Sequence, residues 1–455
     1  MSSAPQGVVD SPVVPPGTVV EEAQHLAGLA WPVVLAQVGM VAMGVVDLFV
    51  AGQLGAVSMG AIGVGHTLGF AAMVPAMGTA SGVDPIVAQA YGAGTPRVAG
   101  AAALKCAGLV GVLLVVTLAA HLAATPLLTL LQQDPLLIPE ASRYLWITAV
   151  GMPAFMGFLV IKQLLQGNGI MRPAMYAVVV ANVVNLVLDI GLGLGRFGLP
   201  KLGVDGIAWA TVGVRWSMLV VLAIVAIPHV RRAWPTAVER AQVSWSQVAG
   251  TALPVGLHSS VEAWAFVVAG LVAGTLGAVE AAAHAGAMNV ASLTFMVPLG
   301  IGAAAATRVG NLVGAKMSWV RSGWVAVGLG ASVMAISAVC FATWPAQIAS
   351  LYSPDAAVVA AMATLLPLAA VFQGFDGTQA VSFGVLRGVG DTRVPSAIAL
   401  VAFWLVSVPL QLWLAYGLGW GLTGVWTGLV AGLSCVAVLL VGRIAVFSRR
   451  VVEPA

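Results

Sequence analysis

Long apolar runs dominate the chain, broken at intervals by short clusters of charge, Pro or Gly. A bilayer core takes about 20 apolar residues per helix. Twelve runs meet that length, at roughly 26–52, 58–82, 101–123, 142–164, 174–195, 205–227, 248–273, 279–303, 320–343, 359–384, 395–416 and 422–445. They are apolar on all sides and lack the short alternating strands of a membrane barrel. The predicted fold class is therefore an all-α integral membrane protein with twelve transmembrane helices.

Composition supports the same solvent. Of 455 residues, 60% are hydrophobic and only 8% charged, against about 25% charged in an ordinary soluble domain. So little charge cannot coat a water-exposed surface, which excludes a soluble enzyme, a disordered chain and a nucleic-acid binder. Membrane lipid is the partner that composition demands. Cys106, Cys340 and Cys435 lie far apart inside apolar runs and carry no CxxC or His pairing. They read as small hydrophobes, and no disulfide framework, structural metal or cofactor is expected. Residues 1–24 hold Pro and acids but no Lys or Arg, and read as a disordered tail rather than a cleaved signal peptide.

The few basic residues sort by side. Loops after spans 2, 4, 6, 8 and 10 and the C-terminal tail carry Arg97, Arg172, Arg231, Arg232, Arg240, Arg308, Lys316, Arg321, Arg387, Arg393, Arg449 and Arg450. Loops after spans 1, 3, 7, 9 and 11 carry none, and Arg196 and Lys201 after span 5 are the exception. The positive-inside rule then expects a multi-pass protein of the cytoplasmic membrane with both termini in the cytoplasm.

The chain also repeats. Ala51-Gly52-Gln53-Leu54-Gly55-Ala56-Val57 recurs as Ala273-Gly274-Thr275-Leu276-Gly277-Ala278-Val279, a shift of 222 that also carries Pro32 to Pro254. Met73-Val74-Pro75 recurs as Met296-Val297-Pro298. A parallel six-plus-six duplication follows, with lobes at 25–227 and 248–446, a cytoplasmic linker at 228–247 and a tail at 447–455. Two pseudo-symmetric lobes suggest a transporter that rocks one against the other around a site between them.

Four acids fall well inside the spans: Asp47, Asp189, Glu262 and Asp376. A charge at mid-bilayer costs on the order of 2.5–3.5 kcal/mol on insertion scales, so such residues usually face a wet cavity or a partner. They are not copies of one another. Asp47 maps onto Ala269, and Glu262 maps back onto Met40. His258, Glu262 and Phe266 share one face of span 7, and Phe372 and Asp376 share one face of span 10. A carboxylate beside His and an aromatic ring can hold a proton, a small cation or an organic cation. The alternative for His258 is a bond to a carbonyl. In span 5, Asn185 and Asp189 are four residues apart, and span 6 carries a lone Arg215. An Asp189–Arg215 ion pair inside the membrane is one expectation. It would leave Asp47 as the main titratable group of the first lobe.

These features resemble the multidrug and toxic compound extrusion (MATE) transporters, in particular the NorM-like branch. The resemblance rests on Pro32, Gln37, Gly44-Val45-Val46-Asp47 and Ala51-Gly52 in span 1, and on Val87-Ala88-Gln89 and Gly92-Ala93-Gly94 after span 2. Span 7 contributes Leu253-Pro254 and Glu262-Ala263-Trp264-Ala265-Phe266. Span 8 contributes Ala282-Ala283-His284, Asn289, Phe295-Met296-Val297-Pro298 and Arg308-Val309-Gly310-Asn311. Span 10 contributes Phe372-Gln373-Gly374-Phe375-Asp376-Gly377 and Leu386-Arg387-Gly388. The resemblance implies a monomeric antiporter, not an enzyme, that exports cationic or amphipathic organic compounds in exchange for inward H⁺ or Na⁺ by alternating access. It implies cation coupling at Asp47, Glu262 and Asp376, with transient Na⁺ at Glu262 and Asp376 as one form. Asn185, Asp189, His258, Phe266, Asn289 and Phe372 are cavity candidates. Asp189 departs from the Asn usual there, Ala285 from Gln, and Arg215 and His258 stand where uncharged residues are usual.

A lipid-linked precursor or polysaccharide flippase of the same superfamily is the alternative. Such chains usually have more spans and a cationic cavity for phosphates, whereas here the membrane holds acids opposed only by Arg215.

Overall fold

A computed structural model of the chain describes residues 13–452. It is helical throughout the membrane-length segments. Eleven single helices are long and apolar enough to cross a bilayer, and a bent pair supplies the twelfth. Spans 1–6 are Val19–Leu54, Ala56–Gly92, Pro96–Leu122, the pair Ile138–Ala149 and Met152–Gly167, Arg172–Gly193, and Val204–Ala233. Spans 7–12 are Trp245–Leu276, Ala278–Gly314, Val320–Thr343, Ala356–Val389, Arg393–Gly417 and Gly421–Arg449.

Several boundaries differ from the sequence-based reading. Span 1 starts at Val19, inside the segment expected to be a disordered tail, because Thr18 and Glu21 form a capping box. Residues 1–12 of that tail lie outside the described residues. Span 6 runs on to Ala233 through Pro228, and a short helix, Ala237–Gln242, fills much of the expected linker. Span 4 bends by 50° between Ala149 and Met152. Its break falls at Gly151, where span 6 lies so close that a Cβ would stand 2.9 Å from the Arg215 side chain. Pro32, Pro75, Pro254, Pro298 and Pro367 all sit within continuous helices. The backbone departs from α geometry at the π-helical turns Asp189–Gly193, Val401–Ser407 and Trp413–Gly417, and Pro409 of span 11 lies between the last two.

The sequence repeat has a backbone counterpart. Spans 1 and 2 are joined by Gly55 at φ 122°, and spans 7 and 8 by Gly277 at φ 148°. Both are conformations that glycine tolerates and other residues avoid. Each turn therefore reverses the chain within a single residue.

The buried core follows the halves with one exchange. One apolar cluster draws on spans 7–12 and also takes Leu26 and Ala30 from span 1. Another draws on the first six spans and takes Val248 and Ala252 from span 7. The exchange lies at the end of the bundle where the Arg-rich loops gather, here termed the basic end. There the halves touch backbone to backbone. A Cβ on Gly92 would stand 2.8 Å from the Asn311 carbonyl carbon, and one on Gly314 would stand 2.7 Å from that of Gln89. Gln89 Nε2 donates to Gly388 O at 3.0 Å, and Thr307 Oγ1 to Gln166 O at 3.2 Å. With its amide turned to face two carbonyls, Asn311 donates to Ala88 O at 2.8 Å and Gly167 O at 3.1 Å. Farther out, Trp264 Nε1 donates to Ala71 O at 3.2 Å. Outward of that bond no hydrogen bond joins the halves among the described residues. Hydrogen bonds and close backbone contacts between the halves thus gather toward the basic end.

Candidate functional site

The first polar site lies in the outward part of spans 1, 5 and 6. Asn185 and Asp189 are one helical turn apart, so both project from one face of span 5. That face meets Asp47 of span 1. Asn185 Nδ2 donates to Asp47 Oδ1 at 2.8 Å and to Asp189 Oδ2 at 2.7 Å. Thr211 of span 6 adds a longer contact, Oγ1 to Asp47 Oδ2 at 3.4 Å. Asp47, Asn185 and Asp189 are all buried. Asp189 opens the π-helical turn, which widens the helix by a residue at this point. Glycines let the turn press inward: a Cβ on Gly193 would sit 3.1 Å from Val50 of span 1 and 3.2 Å from Ile207 of span 6.

The expected Asp189–Arg215 pair is absent. Arg215 Nη1 donates to Thr148 O at 2.9 Å, and its guanidinium lies 5.8 Å from the Phe155 ring centroid. The bend of span 4 supplies both partners. Asp189 instead shares the Asn185 amide with Asp47.

The second polar site lies at mid-depth between spans 7 and 10. His258 and Glu262 are one turn apart, with Nε2 and Oε2 separated by 3.9 Å. His258 Nε2 also lies 3.3 Å from Gln379 Nε2. The His258 ring stacks on Phe383 with centroids 3.8 Å apart and planes within 2°. Asp376 is buried on span 10, three residues before Gln379. Beyond the acids lies an aromatic cluster. Phe266 meets Phe372 edge-on at 6.0 Å, and Phe372 meets Trp426 at 5.8 Å. Phe372 is fully buried, whereas Phe266 is half-buried. Asn289 stands apart from this site. It is exposed and accepts from Tyr352 Oη at 3.2 Å.

The structure thus joins Asp47 and Asp189 through one amide in the first half, and sets Glu262 and Asp376 on spans 7 and 10 of the second, which meet at His258, Gln379 and Phe383. Asp47 and Asp189 put two carboxyl groups into one low-dielectric site, where like charges repel unless a cation lies between them. Sequence reading missed Thr211 and Gln379. Gln379 had a usable signal, being three residues after Asp376 on the same helical face. Thr211 had none, since a lone Thr is ordinary in a membrane helix. Glu22 was also missed as a structural group. It is 2% exposed and receives Arg308 Nε at 2.6 Å, Arg308 Nη2 at 3.0 Å and Ser322 Oγ at 2.7 Å.

Comparison with known proteins adds to this geometry. The MatE family model matches twice, over residues 32–190 and 254–413. The two copies begin at Pro32 and Pro254, the pair aligned by the 222-residue shift. The multidrug resistance protein NorM of Burkholderia vietnamiensis is 35% identical over 450 residues, covering 96% of each chain. The multidrug resistance protein PmpM of Pseudomonas aeruginosa is 33% identical over 454 residues, covering 95% of this chain and 93% of its own. Among solved structures, the eukaryotic MATE transporter AtDTX14 superposes with a TM-score of 0.87 at 21% identity, over 95% of this chain and 98% of its own. The Vibrio cholerae MATE transporter VcmN in its bent form gives 0.81 at 18% identity over the same shares.

Proposed function

The chain belongs to the MatE family of multidrug efflux transporters, and is not an enzyme; from that premise we propose that it is an antiporter exporting cationic or amphipathic organic compounds against inward H⁺ or Na⁺. The observation that carries this reading is the sharing of the Asn185 amide by Asp47 and Asp189, with Glu262 and Asp376 on spans 7 and 10, the two helices that meet at His258, Gln379 and Phe383. Paired buried carboxylates are stable only with a cation among them, and three cations compete for that place: a proton, Na⁺ or the organic substrate. Competition for shared carboxylates is what exchange requires.

The basic end is read as cytoplasmic and the opposite end as external, in the cytoplasmic membrane. In this reading the state described is the one that takes up the coupling ion from outside. The ion neutralises Glu262 and Asp376 and weakens their hold on an organic cation lying against Phe266. The substrate leaves outward. The ion-loaded carrier then opens at the basic end, releases its ion and binds a new substrate. Asp47, Asp189 and Asn185 take part as a second ion site, tied to span 1. One copy holds both halves and both sites, so a monomer suffices.

The test uses proteoliposomes with a pH gradient and a Na⁺ gradient imposed separately, and an organic-cation dye as substrate. Glu262→Gln and Asp376→Asn are expected to lose gradient-driven dye movement. Wild-type rates in both variants would sink the assignment of the second-half acids.

A further inference from the structure

Span 10 carries a polar and aromatic column along a single face: Phe372, Asp376, Gln379, Phe383 and Arg387, spaced four, three, four and four residues. The upper part of the column belongs to the second acid site. The lower end does not. Arg387 leaves its own half and meets Asp84 of span 2, Nη2 to Oδ2 at 3.3 Å. Asp84 is 0% exposed, and it stands in the first turn of the helical segment Asp84–Gly92, whose dipole favours an anion there. This segment is the one whose Gly92 and Gln89 close against the second half.

Among the described residues two ion pairs cross between the halves at the basic end, and they are built differently. Glu22–Arg308 is bidentate and completed by Ser322. Asp84–Arg387 is a bare contact: neither Asp84 oxygen nor Arg387 Nε has a well-formed hydrogen bond. Each member has a second group to turn to in its own half. For Asp84 it is Lys162 of span 4, which makes no ion pair with it in this state. Span 4 packs directly on this segment, since a Cβ on Gly167 would meet Val87 and the Ala88 backbone. Arg387 lies 5.9 Å from the ring centroid of Phe383, one turn back on its own helix.

We propose that Asp84–Arg387 is the latch that holds the basic end shut, and that Lys162 and Phe383 receive the two charges when the latch parts. Opening separates Asp84 from Arg387. A buried carboxylate left without a cation is strongly disfavoured, so the open state depends on Lys162. Arg387 keeps its ring. The latch therefore exchanges partners rather than stranding charges, which keeps the two states close in free energy. Phe383 also stacks on His258, the neighbour of Glu262, so the latch is in packing contact with the second acid site.

The proposal rests on the two-state carrier described above, and it predicts opposite signs for two neutralising substitutions. Spin labels at Arg172→Cys and Ser318→Cys, with Cys106, Cys340 and Cys435 replaced by Ala, report the separation of the halves at the basic end in lipid nanodiscs. Asp84→Asn is expected to raise the ratio of open to closed populations at least about tenfold, because the latch is gone. Lys162→Met is expected to lower it at least about tenfold, because opening now strands Asp84. The double variant is expected to follow Asp84→Asn. Shifts of the same sign, or shifts below about twofold in a wild type that shows both distances, overturn the latch alone. A wild type locked at one distance with substrate and with either ion overturns the carrier reading and the latch with it. If Asp84→Asn does not fold, Lys162→Met carries the test by itself: a rise or no change in the open population overturns the latch.

Discussion

One amide holds two acids: Asn185 Nδ2 donates to Asp47 at 2.8 Å and to Asp189 at 2.7 Å. The two carboxyl groups come from spans 1 and 5, so this amide ties the helices as well as the charges. Asn185→Leu removes both bonds and leaves the acids to repel. A hydrogen bond to a charged group contributes about 1.5–3 kcal/mol, so gradient-driven efflux is expected to fall by about ten- to a hundredfold. Dye transport in proteoliposomes checks this, and an unchanged rate would remove the first site from the mechanism.

His258 separates packing from chemistry. Its ring lies flat on Phe383 at 3.8 Å, while its Nε2 faces Glu262 and Gln379. His258→Phe keeps a stacked pair, an interaction of about 0.5–1.5 kcal/mol beyond burial, and deletes the polar contacts. The thermal midpoint is expected to stay within about 2 °C of wild type while ion-driven transport drops at least about fivefold. A variant that transports normally would confine His258 to packing.

Glu22 anchors the start of span 1 to spans 8 and 9 through Arg308 and Ser322. Removing one partner of a buried ion pair typically costs about 3–5 kcal/mol, because the other charge is stranded. Glu22→Gln is expected to destabilise the detergent-solubilised protein by an amount in that range in denaturant unfolding. A loss below about 1 kcal/mol would show that water reaches Arg308.

Gly92 meets the Asn311 backbone with no room for a side chain. Gly92→Ala is expected to loosen the seal at the basic end. Amide exchange over 84–92 and 308–314 is expected to accelerate at least about tenfold by mass spectrometry, with the outward ends of spans 1 and 7 unaffected. Uniform acceleration across the chain would indicate global destabilisation instead.

Much of this protein was legible from local signals. Hydropathy located all twelve membrane helices because a bilayer rewards length and apolarity, which are properties of a contiguous stretch, but it stopped short where spans 2 and 8 run on to Gly92 and Gly314. The repeat was legible because Gly55 and Gly277 hold backbone angles that few other residues accept. Asn185 with Asp189, and His258 with Glu262, were legible as helical neighbours because four residues make one turn.

What the sequence by itself determined, then, was the set of helices, their pseudo-symmetry and the presence of four acids in an apolar solvent. What only the tertiary structure decided was who meets whom. Arg215 and Asp189 had matching charges and a short loop between their helices, yet the bend at Gly151 offered Arg215 a carbonyl and a ring first. Asp84 beside Pro85 read as part of a loop, and Arg387 as one more basic residue at a helix end, until packing put them 3.3 Å apart from opposite halves. Such pairings join residues far apart in the chain, 67 positions for Arg215 with Thr148 and 387 − 84 = 303 for Asp84 with Arg387. No periodicity encodes them; they depend on where small residues let one helix backbone approach another.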